Sequence, residues 1–132
     1  MSRTRFAYDA GFQPPAPVLP LRVASPLRGE GVLLPALLDT GADCTLIPVR
    51  VARRLRLPRV GRTRVAGVTG DEQIASVHAA RVEVAGIALI APLVALGEES
   101  IIGRDLLNRW HVDLDGPRAV ARVRRPAKSR SD

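Results

Sequence analysis

The feature that most constrains this chain is a carboxylate placed directly after an apolar run. Val32 to Leu38 is almost continuously apolar, and Asp39, Thr40 and Gly41 follow it. A run of this length is typical of a strand buried on both faces, although its pattern alone also allows a helix. A charged group at the end of such a strand costs free energy unless it is hydrogen-bonded, paired or hydrated. Proteins accept that cost most readily at functional sites, so Asp39 is the first candidate for a chemical role.

Composition favours one β-rich domain. The chain has 132 residues, of which 46% are hydrophobic and only 3% aromatic, so an aliphatic core is expected. Eleven glycines and eleven prolines are spread along the chain and predict many turns and short elements. The predicted strands are Val18–Ala24, Val32–Leu38, Cys44–Ile47, Arg62–Val68, Gln73–Ala80, Arg81–Val84, Ile87–Leu96, His111–Leu114 and Arg118–Val123.

Two short helices and one notable hairpin complete the predicted elements. Pro48 suits the start of a helix that has an apolar stripe, and Pro58 ends this helix. A second helix is predicted around Leu106–Trp110. The residues Thr69-Gly70-Asp71-Glu72 separate two strand-like runs, which indicates a hairpin with Gly67 and Gly70 near its tip.

The two ends of the chain differ from its centre. Residues 1–16 are mixed in character and run into a proline-rich segment, so we expect an N-terminal arm. Residues 124–132 are rich in basic residues, proline and serine, which predicts a basic, disordered tail. Residues 17–123 then form the one folded domain.

The net charge of +7 raises the question of a polyanionic partner. The basic residues are mostly scattered arginines without interleaved aromatic side chains for stacking on bases, so nucleic-acid binding is only a minor alternative. The longest apolar run, residues 85–97, is shorter than the roughly 20 residues of a membrane span, and no secretory signal is evident. With a single cysteine, the chain is expected to be cytoplasmic and free of membrane contact.

Cys44 lies five residues after Asp39 and could in principle be a nucleophile. A catalytic thiol needs a histidine partner, and His78 and His111 fall in predicted strands with no motif around them. We therefore favour a structural cysteine that packs as a small apolar group. One cysteine and two distant histidines give no zinc-ligand spacing, so neither a metal nor another cofactor is expected.

Three segments carry a family pattern: A-L-L-D-T-G-A-D-C-T-L-I-P at Ala36–Pro48, V-A-G-V-T-G at Val65–Gly70 and I-I-G-R-D-L-L-N-R-W at Ile101–Trp110. An isolated Asp-Thr-Gly is more often just a turn, but together and in this order the segments resemble the retropepsin-like aspartic proteases, particularly their small bacterial single-domain members. The first and third segments are fairly specific, whereas the second is weak alone. The resemblance covers roughly residues 17–123.

The resemblance implies a mostly β fold: a retropepsin-like acid protease half-barrel with a flap hairpin and one or two short helices, assembled as a C2 homodimer. It implies that Asp39 is catalytic, that Thr40 holds two active-site loops together across the dimer, and that Gly41 offers backbone to the substrate. The residues implied for the substrate-binding flap are Gly67, Val68 and Gly70.

The resemblance also implies a set of supporting residues around the catalytic aspartate. Asp43 and Arg104 match positions that often form an ion pair in this family. Ala42 and Gly103 belong to the same two supporting loops.

The chemistry of such an enzyme needs two carboxylates on one water. The ionised one removes a proton from the water, and the protonated one hydrogen-bonds the scissile carbonyl. This chain has one Asp-Thr-Gly, so a C2 dimer must supply the second Asp39. We therefore predict a homodimeric endopeptidase that cleaves extended peptides or proteins and is inactive as a monomer.

Two alternatives stay open at this point. A catalytically weak module could bind peptides in the same cleft, because a fold does not guarantee turnover. An arginine-rich nucleic-acid-binding domain would instead show an affinity that depends steeply on salt.

Overall fold

The structure is a computed structural model that describes residues 3–67 and 69–127. Within these residues the chain forms ten strands and two short helices, as the mostly β prediction requires. The strands are β1 (Arg5–Ala7), β2 (Val18–Ala24), β3 (Val32–Leu38), β4 (Leu46–Ile47), β5 (Arg59–Ala66), β6 (Glu72–Val84), β7 (Ile87–Ala95), β8 (Ile101–Ile102), β9 (His111–Asp115) and β10 (Val120–Arg124). The helices are α1 (Val49–Arg54) and α2 (Arg104–Leu107).

Six strands close into a barrel. Around the ring, β2 pairs with β3, β3 with β8, β8 with β4, β4 with β7, β7 with β6, and β6 returns to β2. The length of β6 makes this closure possible, because residues 72–78 pair with β5 while residues 81–83 pair with β2. The barrel interior is aliphatic, and its most buried side chains include Leu19, Leu21 and Leu93.

Strand β3 has the predicted bounds but not the predicted burial. Leu34 and Ala36 are buried, whereas Leu33 is 56% exposed and Pro35 is also exposed. The prediction of a strand buried on both faces is wrong. In a barrel wall, alternate side chains point inward and outward, so even an apolar strand buries only one face.

The hairpin predicted around Thr69–Glu72 is present as β5 and β6. At its tip the Gly67 N–H donates to the Asp71 carbonyl at 3.0 Å, and the Gly70 N–H donates to the Gly67 carbonyl at 3.0 Å. Gly70 has φ +85°, a conformation that favours glycine. Two strands predicted separately at Gln73–Ala80 and Arg81–Val84 are one continuous strand, β6.

Both helices are shorter than predicted. The predicted helix from Pro48 to Leu57 is limited to Val49–Arg54, because Arg56 adopts a left-handed φ of 50° that ends it. The second helix stops at Leu107, so Trp110 lies beyond it, although its side chain is still buried.

The first strand and the last two strands form a second, three-stranded sheet of order β1-β10-β9. Arg5–Ala7, within the predicted arm, pairs with β10, and Phe6 is a buried core residue. The predicted tail begins with Arg124, which is the last residue of β10, and its residues 128–132 lie outside the described residues. In the described part of the chain, no helix is long and apolar enough to cross a membrane.

Candidate active site

Asp39 is the first residue after β3 and is held by its backbone as well as its side chain. Its N–H donates to the Ile102 carbonyl at 3.0 Å, and its carbonyl accepts from the Ala42 N–H at 3.2 Å. The Oδ1 atom of the carboxylate accepts from the Gly41 N–H at 2.9 Å. These bonds close residues 39–42 into a tight turn and leave the carboxylate half-buried at the end of a barrel strand.

The Asp39 turn packs against the segment that follows β8. The Arg104 N–H donates to the Ala42 carbonyl at 2.9 Å. At Gly103, a Cβ atom would lie 2.5 Å from the Cys44 carbonyl oxygen and 2.9 Å from the Ala42 carbonyl oxygen. The two motifs therefore approach backbone to backbone, which only glycine permits at position 103.

A buried threonine and an aspartate lock this approach. Thr45 is fully buried, and its Oγ1 donates to Asp105 Oδ1 at 2.7 Å while accepting from the Gly103 N–H at 3.2 Å. The Asp105 carboxylate also accepts from the Thr45 N–H at 3.1 Å and from the Leu106 N–H at 2.8 Å. Sequence reasoning missed this pair of residues, although Asp105 at the start of a helical segment was a usable signal.

Arg104 and Asp43, matched to supporting positions by sequence, are in contact. Arg104 Nη2 lies 2.6 Å from Asp43 Oδ1, and Arg104 Nη1 donates to the Thr40 carbonyl at 2.6 Å. The side chains of Arg104 and Asp43 are 45% and 88% exposed, so the ion pair itself adds little stability. Its structural effect is that one guanidinium holds both ends of the segment from residue 40 to residue 43.

Cys44 is half-buried beside this site. Burial raises the pKa of its thiol, and the negative charges of Asp105 and Asp43 raise it further. The ring nitrogens of His78, one of the two histidines considered as partners for this thiol, contact the Leu57 carbonyl at 3.0 Å and Ser76 Oγ at 2.9 Å instead. A thiol with a raised pKa is a poor nucleophile, which agrees with the structural interpretation of this cysteine.

A small apolar cavity of about 260 Å³ lies along the end of β3 that leads to Asp39. Leu37 lines it and precedes Asp39 by two residues. Ile101, the β8 partner of Leu37, lines it as well. Sequence reasoning did not select these wall residues, because their proximity depends on strand pairing. The full lining is Asp9, Phe12, Val18, Pro35, Leu37, Glu99, Ser100 and Ile101.

The predicted flap residues lie away from the Asp39 turn in sequence, at the tip of the β5–β6 hairpin. Gly67 and Gly70 are exposed there, and Val68 lies outside the described residues. Among the described residues, no three His, Cys, Asp or Glu side chains converge as metal ligands.

The segment that contains the Asp39 turn and the Gly103 approach matches a known family model. The model is described as "gag-polyprotein putative aspartyl protease", and it matches residues 27–109, more than half of the chain. This chain belongs to that family. The resemblance to retropepsin-like aspartic proteases inferred from three sequence segments is therefore confirmed.

Solved structures show that this family member has the retropepsin-like fold. EIAV protease complexed with the inhibitor HBY-793 matches with a TM-score of 0.60 at 23% identity, over 70% of this chain and 86% of that one. The retroviral protease-like domain of Ddi1 from Leishmania major matches with a TM-score of 0.50 at 21% identity, over 80% of this chain and 87% of that one. No curated protein matches the sequence significantly.

Proposed function

We propose that this protein is an aspartic endopeptidase whose active site forms when two copies pair and each supplies Asp39. The observation that carries the proposal is the locked turn in which Asp39 sits. The Gly103 approach and the Thr45–Asp105 hydrogen bonds fix that turn against β8. The Asp39 carboxylate itself stays half-buried and, among the described residues, accepts only the Gly41 N–H. A rigid frame around an accessible carboxylate is what catalysis by positioned groups requires.

The proposed reaction needs two Asp39 side chains on one water. One carboxylate is ionised and takes a proton from the water, whose oxygen attacks the peptide carbonyl carbon. The other is protonated and hydrogen-bonds the carbonyl oxygen, because two carboxylates at close range share a proton rather than both ionise. The reaction requires no metal and forms no covalent intermediate with the protein.

Thr40 and Arg104 support this arrangement in the proposal. The Arg104 guanidinium binds the Thr40 carbonyl, which fixes the backbone of Thr40 and leaves its side chain exposed for contact with the second subunit. Asp43 holds the same guanidinium in place. Gly41 presents backbone without a side chain beside the carboxylate, since a Cβ there would lie 3.2 Å from Asp39 Oδ1.

The proposed substrate is an extended peptide or protein segment. The β5–β6 hairpin, with Gly67 and Gly70 at its tip and Val68 between them in the sequence, would close over the substrate and bind its backbone as an added strand does. The apolar cavity beside Asp39 favours an apolar substrate side chain near the scissile bond. The single cysteine supports a reducing, cytoplasmic location, and the absence of stacking aromatics among the arginines disfavours a nucleic-acid partner.

Cleavage of a diverse peptide mixture, read by mass spectrometry at several protein concentrations and pH values, tests the proposal. We expect cuts whose specific activity rises with protein concentration, because dimerisation creates the site. Asp39→Asn should abolish every cut, since the amide cannot take a proton from water, and it should leave the thermal unfolding temperature nearly unchanged.

Two results would contradict the proposal. Cuts that persist in Asp39→Asn would indicate other chemistry or a contaminating protease. Peptide binding without any cleavage by the folded wild-type dimer would indicate a peptide-binding module instead of an enzyme.

A further inference from the structure

The segment between β1 and β2 is a closed loop rather than an open connection. The N–H of Asp9 donates to the Ala16 carbonyl at 2.7 Å, and the Ala16 N–H donates back to the Asp9 carbonyl at 3.1 Å. Inside the loop, the Gly11 N–H donates to Asp9 Oδ1 at 2.8 Å, and the Phe12 N–H donates to the Asp9 carbonyl at 3.4 Å. These hydrogen bonds therefore hold the backbone of residues 9–16, including that of Phe12, in one arrangement.

This loop, which we call the Asp9–Ala16 loop, is attached to the strand that carries Asp39. The Pro17 carbonyl, directly after the loop, accepts from the N–H of Leu38, the residue before Asp39, at 3.0 Å. On the other side of the loop, the Tyr8 N–H donates to the Ala119 carbonyl at 2.8 Å. Both flanks of the loop are thus hydrogen-bonded to the body of the fold.

Phe12 lines the apolar cavity that Leu37 and Ile101 also line. Its side chain is 42% exposed, so it contributes little to the hydrophobic core. It shares the cavity with Leu37 and Ile101, which belong to the two strands that carry the active-site motifs. The Asp9–Ala16 loop also lies outside residues 27–109, the part of the chain matched by the family model.

We propose that Phe12 is a specificity-determining residue, whose ring limits the size of the apolar substrate side chain that enters the cavity beside Asp39. This inference rests on the proposed protease function. The cavity volume of about 260 Å³ lies below the roughly 300–1,000 Å³ of whole small-molecule sites, so it suits one side chain. Asp9 and Glu99 are the two ionisable residues that line the cavity, and their negative charge disfavours an acidic side chain there.

Two substitutions of opposite size test the role of Phe12. The substrates are peptides that differ only at one position next to the cleaved bond, occupied by Ala, Leu or Phe. Phe12→Ala should enlarge the cavity and raise kcat/KM for the Phe peptide relative to the Ala peptide by about tenfold. Small size differences in apolar pockets change kcat/KM by roughly this factor or more. Phe12→Trp should narrow the cavity and shift the same ratio in the opposite direction.

Leu114→Ala is the matched control, because Leu114 is an exposed apolar residue of β9 and does not line the cavity. It should leave the preference unchanged. If both Phe12 variants keep the wild-type ratio, the proposal is wrong. It is also wrong if they lower activity equally for all peptides and the loss is restored by higher protein concentration, since Phe12 would then be a subunit contact.

The same peptides separate a failure of this inference from a failure of the proposed function. Their dissociation constants are measured by calorimetry on Asp39→Asn with and without each Phe12 substitution, so turnover is not needed. A size-dependent shift in binding supports the role of Phe12 even if the wild-type protein never cleaves. Binding that is absent or does not depend on residue 12 overturns the inference, whether or not the wild-type protein is a protease.

Discussion

At residue 103 the backbone of the Ile101–Trp110 motif lies against the backbone of the Asp39 motif, at Ala42 and Cys44. A Cβ atom there would lie 2.5 Å from the Cys44 carbonyl oxygen and 2.6 Å from its carbon, and both are main-chain atoms that cannot rotate away. We expect Gly103→Ala to lower the free energy of unfolding by roughly 1–3 kcal/mol, as overpacking does. Urea denaturation measures this value.

Gly61→Ala is the control for this prediction. A Cβ at Gly61 would meet nothing within 4 Å, so the substitution should change stability little. An equal effect of the two substitutions would show that the two motifs are not as tightly packed as described.

The raised pKa of Cys44 predicts how its thiol reacts. Burial and the charges of Asp105 and Asp43 disfavour the thiolate in the folded protein. At pH 8 iodoacetamide should therefore alkylate Cys44 more slowly in the native protein than in the urea-unfolded chain, because the thiolate is the reactive form. Equal or faster native alkylation would contradict this assignment.

The raised pKa of Cys44 also makes the stability of the folded protein depend on pH. The folded state holds the Cys44 thiol proton more tightly than the unfolded chain does. The resulting contribution of Cys44 to the free energy of unfolding is therefore complete below the ordinary thiol pKa of 9.0 and is lost as pH rises above it.

Between elements, the structure depends on the link from Thr45, which precedes β4, to Asp105 in α2. In Thr45→Val the Gly103 N–H loses its acceptor and Asp105 loses a donor, both close to the core. A buried group left without a partner costs about 1–3 kcal/mol, so the free energy of unfolding should fall by at least that amount. Proteolytic activity should fall as well, since the same bonds hold the Asp39 turn.

Thr45→Ser separates the hydroxyl from the methyl group. The serine keeps both hydrogen bonds and should lose only the smaller contribution of one buried methyl group. Urea denaturation of both variants makes the comparison. If valine and serine destabilise equally, the hydrogen bonds are not the source of the effect.

Elements bounded by turn residues were predictable from the sequence. Strands β2 and β3 have their predicted bounds because a Ser-Pro and Gly-rich segment separates them. The single strand β6 was predicted as two because its continuity depends on pairing successively with β5 and β2, which no local pattern reveals. The early end of α1 at Arg54 was missed for a similar reason, since the arginine at position 56 carries no signal for the left-handed conformation that it adopts.

The site divides in the same way. The motif residues from Asp39 to Asp43 and the pair Gly103–Arg104 were assigned to the candidate site from the sequence because the family pattern contains them. Thr45 and Asp105 were not assigned, since their hydrogen bonds join residues 60 positions apart. Phe12 was not assigned either, because only the fold brings the Asp9–Ala16 loop beside Leu37.

For the whole molecule, one chain supplies half of what the proposed chemistry needs. It has one Asp39 turn and one β5–β6 hairpin, and the strands β1, β9 and β10 pair with one another within the chain. A symmetric dimer would bring two identical Asp39 turns to one axis while the strands of this sheet stay paired within their own chain.

Mixing wild-type and Asp39→Asn chains tests the two-aspartate site most directly. The total chain concentration is kept constant and high enough for dimers, the subunits are allowed to exchange, and cleavage of one substrate is followed. If each active site needs Asp39 from both subunits, mixed dimers are inactive, and activity follows the square of the wild-type fraction. Activity that is simply proportional to the wild-type fraction would show that one Asp39 suffices and would contradict the account.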